Sequence, residues 1–310
     1  MTSTALPSAS APAPAAVETP RAPRGARLRR VLNRTTLNVV LVAIGLLWLL
    51  PTVGLLVTSF RTNTDYFSSG WWQGLTHPAA LTIQAYKDII HSSGLVNALV
   101  TTVLITVPAT LLVVLIASLA AYSLVFLRWR GRDWVFILLV ALMVVPLQMA
   151  LIPVATMYKW IHDTLGLQLF GTVAGVVIYH VAFGLPFAIF LMRNFYAGIP
   201  KDLLEAARID GAGEWMMFRR IVLPLGKPAL ASLAIFQFLW VWNDLLVSLV
   251  FNSGNPNQPF TVFIFSQIRQ FGANIEFFST ASFISMVIPL AVFFAFQRSF
   301  VRGVLAGAVK

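Results

Sequence analysis

Apolar residues in this chain gather into runs of roughly twenty or more, separated by short polar stretches, a pattern of membrane spans and not of soluble amphipathic helices. The runs predict helices at about 37–60, 98–127, 134–160, 171–197, 229–250 and 280–301. Each is long enough to cross a hydrocarbon core of about 30 Å at about 1.5 Å per residue. The third contains Pro146 and Pro153, which a span tolerates where neighbouring helices or water satisfy the freed carbonyls. The expected class is all-α: a polytopic membrane protein with six transmembrane helices. No period of about 20 to 50 residues repeats, which excludes a solenoid or a propeller. No inverted repeat of spans is visible either, which counts against a transporter that carries its whole pathway in one chain.

Composition agrees. Hydrophobic residues make up 58% of the 310 and charged residues 11%, with a mean hydropathy of +0.81, against about 45–50% and about 25% in soluble domains. With no cysteine, disulfides, thiolate zinc sites and cysteine nucleophiles are excluded. The net charge of +11 would invite nucleic acid in a soluble protein. Here the basic residues sit between apolar runs and report orientation, so no nucleic-acid partner is expected. Residues 1–20 are mostly Ala, Pro, Ser and Thr, too poor in large apolar side chains to offset the entropy of ordering. With the arginines that follow, they predict a disordered, basic tail over 1–35 and a spanning domain over 36–310. Arg29 and Arg30 resemble a twin-arginine signal, but the run that follows is too long for a signal peptide and lacks an A-x-A cleavage site, so it is expected to remain as the first span.

Lys and Arg sort by side. Eighteen lie in the tail, at Arg128 to Arg132, between Arg193 and Lys227, and after the last run, against four at Arg61, Lys87, Lys159 and Arg269. The positive-inside rule then predicts a multi-pass protein of a bacterial plasma membrane with both termini in the cytoplasm. Tyr66, Trp71, Trp72, Phe277 and Phe278 of the outer loops read as interfacial anchors.

One polar stretch stands apart, Gly198 to Pro228, which reads GIPKDLLEAARIDGAGEWMMFRRIVLPLGKP. Pro200 suits the start of a helix, and Asp202 and Glu205 place negative charge near its positive dipole end. A helix over about 200–209 is predicted, with Ala206 and Ala207 leaving one face nearly bare for close approach by another backbone. Asp210 and Gly211 supply the stop. A second helix, about 213–222, puts Trp215, Met217, Phe218, Ile221 and Val222 on one arc, with Arg219 and Arg220 opposite, and Pro224 is expected to close it. On physics alone the insert is either a docking element or an interfacial helix on the inner leaflet, its arginines meeting anionic lipid.

Within the fifth run, Gln237, Trp240, Asp244 and Ser248 recur on one helical stripe, with Asn243 at its border. Intramembrane polar groups face a bundle interior or a water-filled cavity. Indole faces beside amide and carboxylate acceptors suit a sugar, and the same stripe also serves as helix-to-helix glue. The one Gly-Lys pair, Gly226 and Lys227, precedes Pro228 and lacks a phosphate-cradling loop, so no nucleotide site is expected on this chain. No metal-ligand grouping is seen either, and His180 reads as a packed residue.

The run Glu205, Ala206, Ala207, Asp210, Gly211, Ala212, Phe218, Ile221, Leu223, Pro224 and Pro228 resembles the EAA loop of membrane subunits in bacterial ABC importers. Pro146, Gln148, Leu151, Ile152 and Pro153, then Gly184, Leu185 and Pro186, then Trp242, Asn243 and Asp244, and the Gly307 to Lys310 end resemble the carbohydrate branch, in its maltose-permease-like second subunits. Asp244 departs from that branch, where glutamate is commoner. The resemblance implies a type I ABC importer permease fold with cytoplasmic coupling helices, in which Glu205, Ala206, Ala207, Asp210, Gly211 and Ala212 couple to an ATPase. It implies as partners a second permease subunit, two copies of an ATPase subunit holding the ATP and magnesium, an extracytoplasmic solute-binding protein, membrane lipid, and a sugar or oligosaccharide as cargo. The chain itself would catalyse nothing. The alternatives are an importer for a non-sugar solute and an ion-coupled secondary transporter with Asp244 and His180 relaying protons.

Overall fold

The structure, a computed structural model, describes residues 24–91, 93–252, 255–271 and 275–308. Residues 1–23 of the expected tail, and Val309 and Lys310, lie outside them. The chain divides into two units, Met1–Val53 and Gly54–Lys310. In the first, helix α1 begins at Arg24, inside the stretch expected to be tail, and continues to Thr58. Its Thr35–Thr58 part is apolar on every side and long enough to cross a membrane.

In the second unit, short helices at Asn63–Ser68, Gln73–Thr76 and Gln84–His91 precede α2, Ser93–Phe126. There follow α3 (Arg132–Leu142), α4 (Leu147–Leu165), α5 (Val173–Ala197), α6 (Lys201–Ile209) and α7 (Glu214–Trp242). The chain continues as α8 (Leu246–Phe251), α9 (Phe260–Phe271) and α10 (Ile275–Ala308). Among the described residues five helices are long and apolar enough to span, and α3 with α4 makes a sixth if the bent pair is one span.

That pair corrects the expected continuous third span. The axis turns by 104° between Leu142 and Leu147. Pro146 has no N–H to continue the ladder and forces Val145 away from the α region, so α3 stops and Pro146, at φ −64 and ψ 129, opens α4 instead.

Helices α2, α5 and α7 form the centre, with α10 against α7 and α3 against α5. Ala109, Val113, Ala117 and Ala121 recur every fourth residue along α2 and are fully buried. Small side chains in that row let α5 approach closely, where lipid offers no hydrophobic drive and van der Waals packing must hold the pair. A Ser118 to Tyr196 hydroxyl hydrogen bond of 2.7 Å joins the same two helices. At the far end from the 198–228 insert, Glu276 N–H donates to Asn63 Oδ1 (3.1 Å) and Asn63 N–H to Glu276 Oε2 (3.3 Å), tying the first loop to the start of α10.

The fifth span departs from expectation at both ends. Pro224 does not close a helix: the chain runs from Glu214 to Trp242 as one element, with a π-helical turn at Phe218–Val222. The wider turn moves the Arg220 carbonyl out of the way of the Pro224 ring, which would clash with it in a regular α-helix. At the other end the helix stops at Trp242 and restarts at Leu246.

Candidate functional site

The insert is built by three local devices. Pro200, at φ −57, sets the entry to α6. At the exit, Gly211 N–H bonds the Arg208 carbonyl (3.0 Å) and Ala212 N–H the Ala207 carbonyl (2.9 Å), the paired closure that ends a helix through a left-handed residue. Gly211 is that residue, with φ +83. A Cβ there would touch nothing within 4 Å, so backbone conformation alone requires glycine. The third device is the turn into α7, whose first residue is Glu214.

Glu214 gathers the pieces. Its Oε2 accepts from the Tyr122 hydroxyl at 2.6 Å, and its Oε1 accepts from Arg208 Nη2 at 3.0 Å and Nε at 3.2 Å. One carboxylate thus links the last turn of α2, the end of α6 and the start of α7. Beneath it the insert is bolted down by packing. Leu204, Met217, Phe218 and Val222 are buried against Tyr196 of α5 and Ala121 and Tyr122 of α2. The Tyr122 and Phe218 rings meet edge to face at 5.3 Å. Burying a large apolar side chain stabilises by about 1.5–3 kcal/mol, so four of them hold the insert more firmly than the half-exposed ion pair does.

The outer face is different. Glu205, Ala206, Asp210 and Gly211 are exposed, while Ala207 and Ala212 are half-buried against the core. The bare face expected from Ala206 and Ala207 is therefore divided, one alanine turned inward and one outward. Ile209 is 87% exposed and Trp215 65% exposed, so Trp215 leaves the buried arc on which its spacing placed it. Glu205 makes no side-chain hydrogen bond or ion pair among the described residues. Two apolar side chains and an unengaged carboxylate thus stand exposed on a base packed against the spans. Tyr122, Arg208, Glu214 and Ile209 were not singled out by the sequence. Ile209 carried a signal, an apolar residue beside a helix stop in a polar stretch, whereas the Tyr122 to Glu214 contact spans 92 positions and carried none.

The break after Trp242 also divides the expected stripe. Gln237 and Trp240 line a cavity of about 350 Å³ with Phe183, Gly184, Phe187 and Phe236. A Cβ on Gly184 would come within 2.8 Å of Gln237 Nε2, so glycine there makes room for the amide. Asn243 is exposed and lines a separate groove with Ser282 and Met286 of α10. Asp244 lies in the break, where its Oδ2 accepts from the Val247 and Ser248 N–H groups (3.0 and 3.3 Å) and caps α8. Ser248 is buried. The physical reason is the cap itself: a carboxylate that bonds the next turn's N–H groups competes with the helix that would pass through it. His180 is buried with Nδ1 2.9 Å from the Val176 carbonyl and Nε2 3.6 Å from Asp244 Oδ2.

Residues 113–305 match the family profile described as binding-protein-dependent transport system inner membrane component. The chain is 43% identical over 282 residues to the osmoprotective compounds uptake permease protein GgtD of Synechocystis sp., covering 90% of this chain and 93% of that one. It is 42% identical over 236 residues to the alpha-glucoside transport system permease protein AglG of Rhizobium meliloti, covering 76% and 62%. Its fold is similar to that of a solved bacterial ABC transporter involved in import of the acidic polysaccharide alginate, with a TM-score of 0.69 at 22% identity over 91% of this chain and 100% of that one. The family has no catalytic activity of its own, and the ion-coupled alternative falls with it. An exposed insert bolted to the ends of α2, α5 and α7 and a profile match across that insert lead to one conclusion: the chain belongs to the binding-protein-dependent transport system inner membrane components, as a multi-pass permease subunit of an ABC importer.

Proposed function

We propose that the 198–228 insert is the element through which ATPase closure moves the spans, and that the cargo is a sugar or oligosaccharide. The observation that carries the first part is the contrast between the faces of the insert. Leu204, Met217 and Phe218 fix it to the spans, while Glu205, Ala206 and Ile209 project without an internal partner and Trp215, its ring 5.5 Å from that of Phe218, stays 65% exposed. A lever needs both. The excess of Lys and Arg on its side of the membrane supports a cytoplasmic position for the insert and for both termini. Two ATPase copies, a second permease subunit and an extracytoplasmic binding protein complete the assembly on this reading, with ATP and magnesium held by the ATPases.

The sugar reading is supported by the Gln237 and Trp240 cavity, in which an indole and an amide stand among phenylalanines, and by relatives named for alpha-glucosides and for melibiose, raffinose and stachyose. A relative named for osmoprotective compounds is equally similar, which supports a non-sugar solute as the alternative cargo. The test of coupling is Ile209→Asp combined with Glu205→Lys. The variant should insert in the membrane at wild-type levels and lose the co-purifying ATPase. Normal substrate uptake by that variant would sink the proposal.

A further inference from the structure

A second cavity, of about 570 Å³, lies between the turn joining α2 to α3 and the flank of α6. Arg128, Arg132, Lys201 and Arg208 line it, against two acids, Asp133 and Glu205. Arg132 is paired with Asp133 at 3.3 Å and Arg208 with Glu214 at 3.0 Å. Arg128 and Lys201 have no ion pair among the described residues, and with Glu205 the one unpaired acid of the lining, the wall carries a net positive charge. Gly131, at φ +90, lets the chain turn sharply enough to bring Arg128 and Arg132 onto the same cavity.

The surroundings indicate what kind of anion fits. Trp129 and Trp134 line the same cavity, and Trp134 is 77% exposed, as indoles at the level of lipid headgroups are. Trp134 belongs to the first turn of α3, and the next turn exposes Ile137 and Leu138, each more than half. A phosphate held at the cavity would thus have its acyl chains beside an apolar helix face. Basic pockets beside spans on the positively charged side recognise phospholipid headgroups in this way.

We propose that this cavity binds the phosphate headgroup of an anionic phospholipid, with Arg128 and Lys201 as its charged ligands. Lys201, Leu204, Glu205 and Arg208 recur on the flank of α6 that lines the cavity, Glu205 at its border with the outer face, and Ala206 and Ile209 lie on another side. A bound lipid therefore leaves Ala206 and Ile209 open to a protein partner while tethering the insert to the bilayer surface. Binding at this cavity does not depend on the coupling proposed above, and the assay below reads it separately.

The test is native mass spectrometry of the assembled, detergent-solubilised importer with phosphatidylglycerol, phosphatidylcholine or inorganic phosphate added. The wild-type complex should retain phosphatidylglycerol in preference to phosphatidylcholine. Arg128→Gln with Lys201→Gln should lower that retention by about tenfold or more, given the strength of each basic residue's attraction to an anionic leaflet. Arg219→Gln, an exposed arginine outside the cavity, should leave it unchanged. Equal retention by the double variant and wild type overturns the proposal. Displacement of the lipid by millimolar inorganic phosphate overturns the lipid as occupant and assigns the cavity to a free anion. Should the double variant fail to assemble, Arg128→Gln is compared with Arg128→Lys, which keeps the charge, and equal retention by those two overturns it.

Discussion

Removing one hydroxyl from the hinge of the insert should loosen the link between ATP hydrolysis and transport. In Tyr122→Phe the ring stays in place against Phe218, 5.3 Å away, and what is lost is the hydroxyl's 2.6 Å bond to the Glu214 carboxylate with its weaker 3.2 Å contact to the Glu214 carbonyl. A hydrogen bond to a charged group contributes about 1.5–3 kcal/mol when buried. Glu214 is 46% exposed, so water replaces part of the bond and the loss falls to about 1 kcal/mol. That is about fivefold in the balance between latched and unlatched insert. The assay is binding-protein-stimulated ATPase activity and uptake, measured side by side on the reconstituted complex. Tyr122→Phe should lower transport per ATP by a few-fold while basal hydrolysis is retained. A double-mutant cycle with Glu214→Gln isolates the pair, and the two changes should be non-additive by about 1 kcal/mol. Strict additivity, or unchanged transport per ATP in Tyr122→Phe, would refute the latch.

Two further outcomes follow from the same geometry. Gly211→Ala places a Cβ in the left-handed region at φ +83, which costs about 1–2 kcal/mol with no clash to relieve; stimulated ATPase activity should fall with the protein still folded, and wild-type stimulation would show that the turn is not held in that conformation. Because the chain has no cysteine, single cysteines report access directly. Trp240→Cys, at a position 40% exposed and lining the Gln237 cavity, should react with a water-soluble thiol reagent, whereas Ser248→Cys, at a buried position, should not; labelling of both alike would show that the break after Trp242 does not separate them.

Where the sequence misled, a long-range contact or a backbone device was the cause. The stop at Gly211 was legible because a left-handed residue after a short polar helix is a local requirement that glycine meets. The burial of Met217 and Phe218 was legible from their spacing. Pro224 was misread because the rule that proline ends a helix assumes regular α geometry, and the π-helical turn at Phe218–Val222 removes the clash behind that rule. The break after Trp242 was hidden by apolar residues on both sides of Asp244. Hydropathy sees a continuous run there, whereas the capping bonds of Asp244 to Val247 and Ser248 restart the helix. Glu214 was passed over for the opposite reason: its partners Tyr122 and Arg208 meet it only after α2, α6 and α7 have packed.

Coupling through the insert requires that it move with the spans as one body. Spin labels at Ala206→Cys on the insert and Asn194→Cys near the end of α5, both at exposed positions, measure this in the reconstituted importer by pulsed electron resonance. Between the nucleotide-free and ATP-bound states the distance between these labels should stay constant, while the distance from Asn194→Cys to a label on the opposing permease subunit changes. A shift between 206 and 194 with the span-to-span distance unchanged would contradict the account.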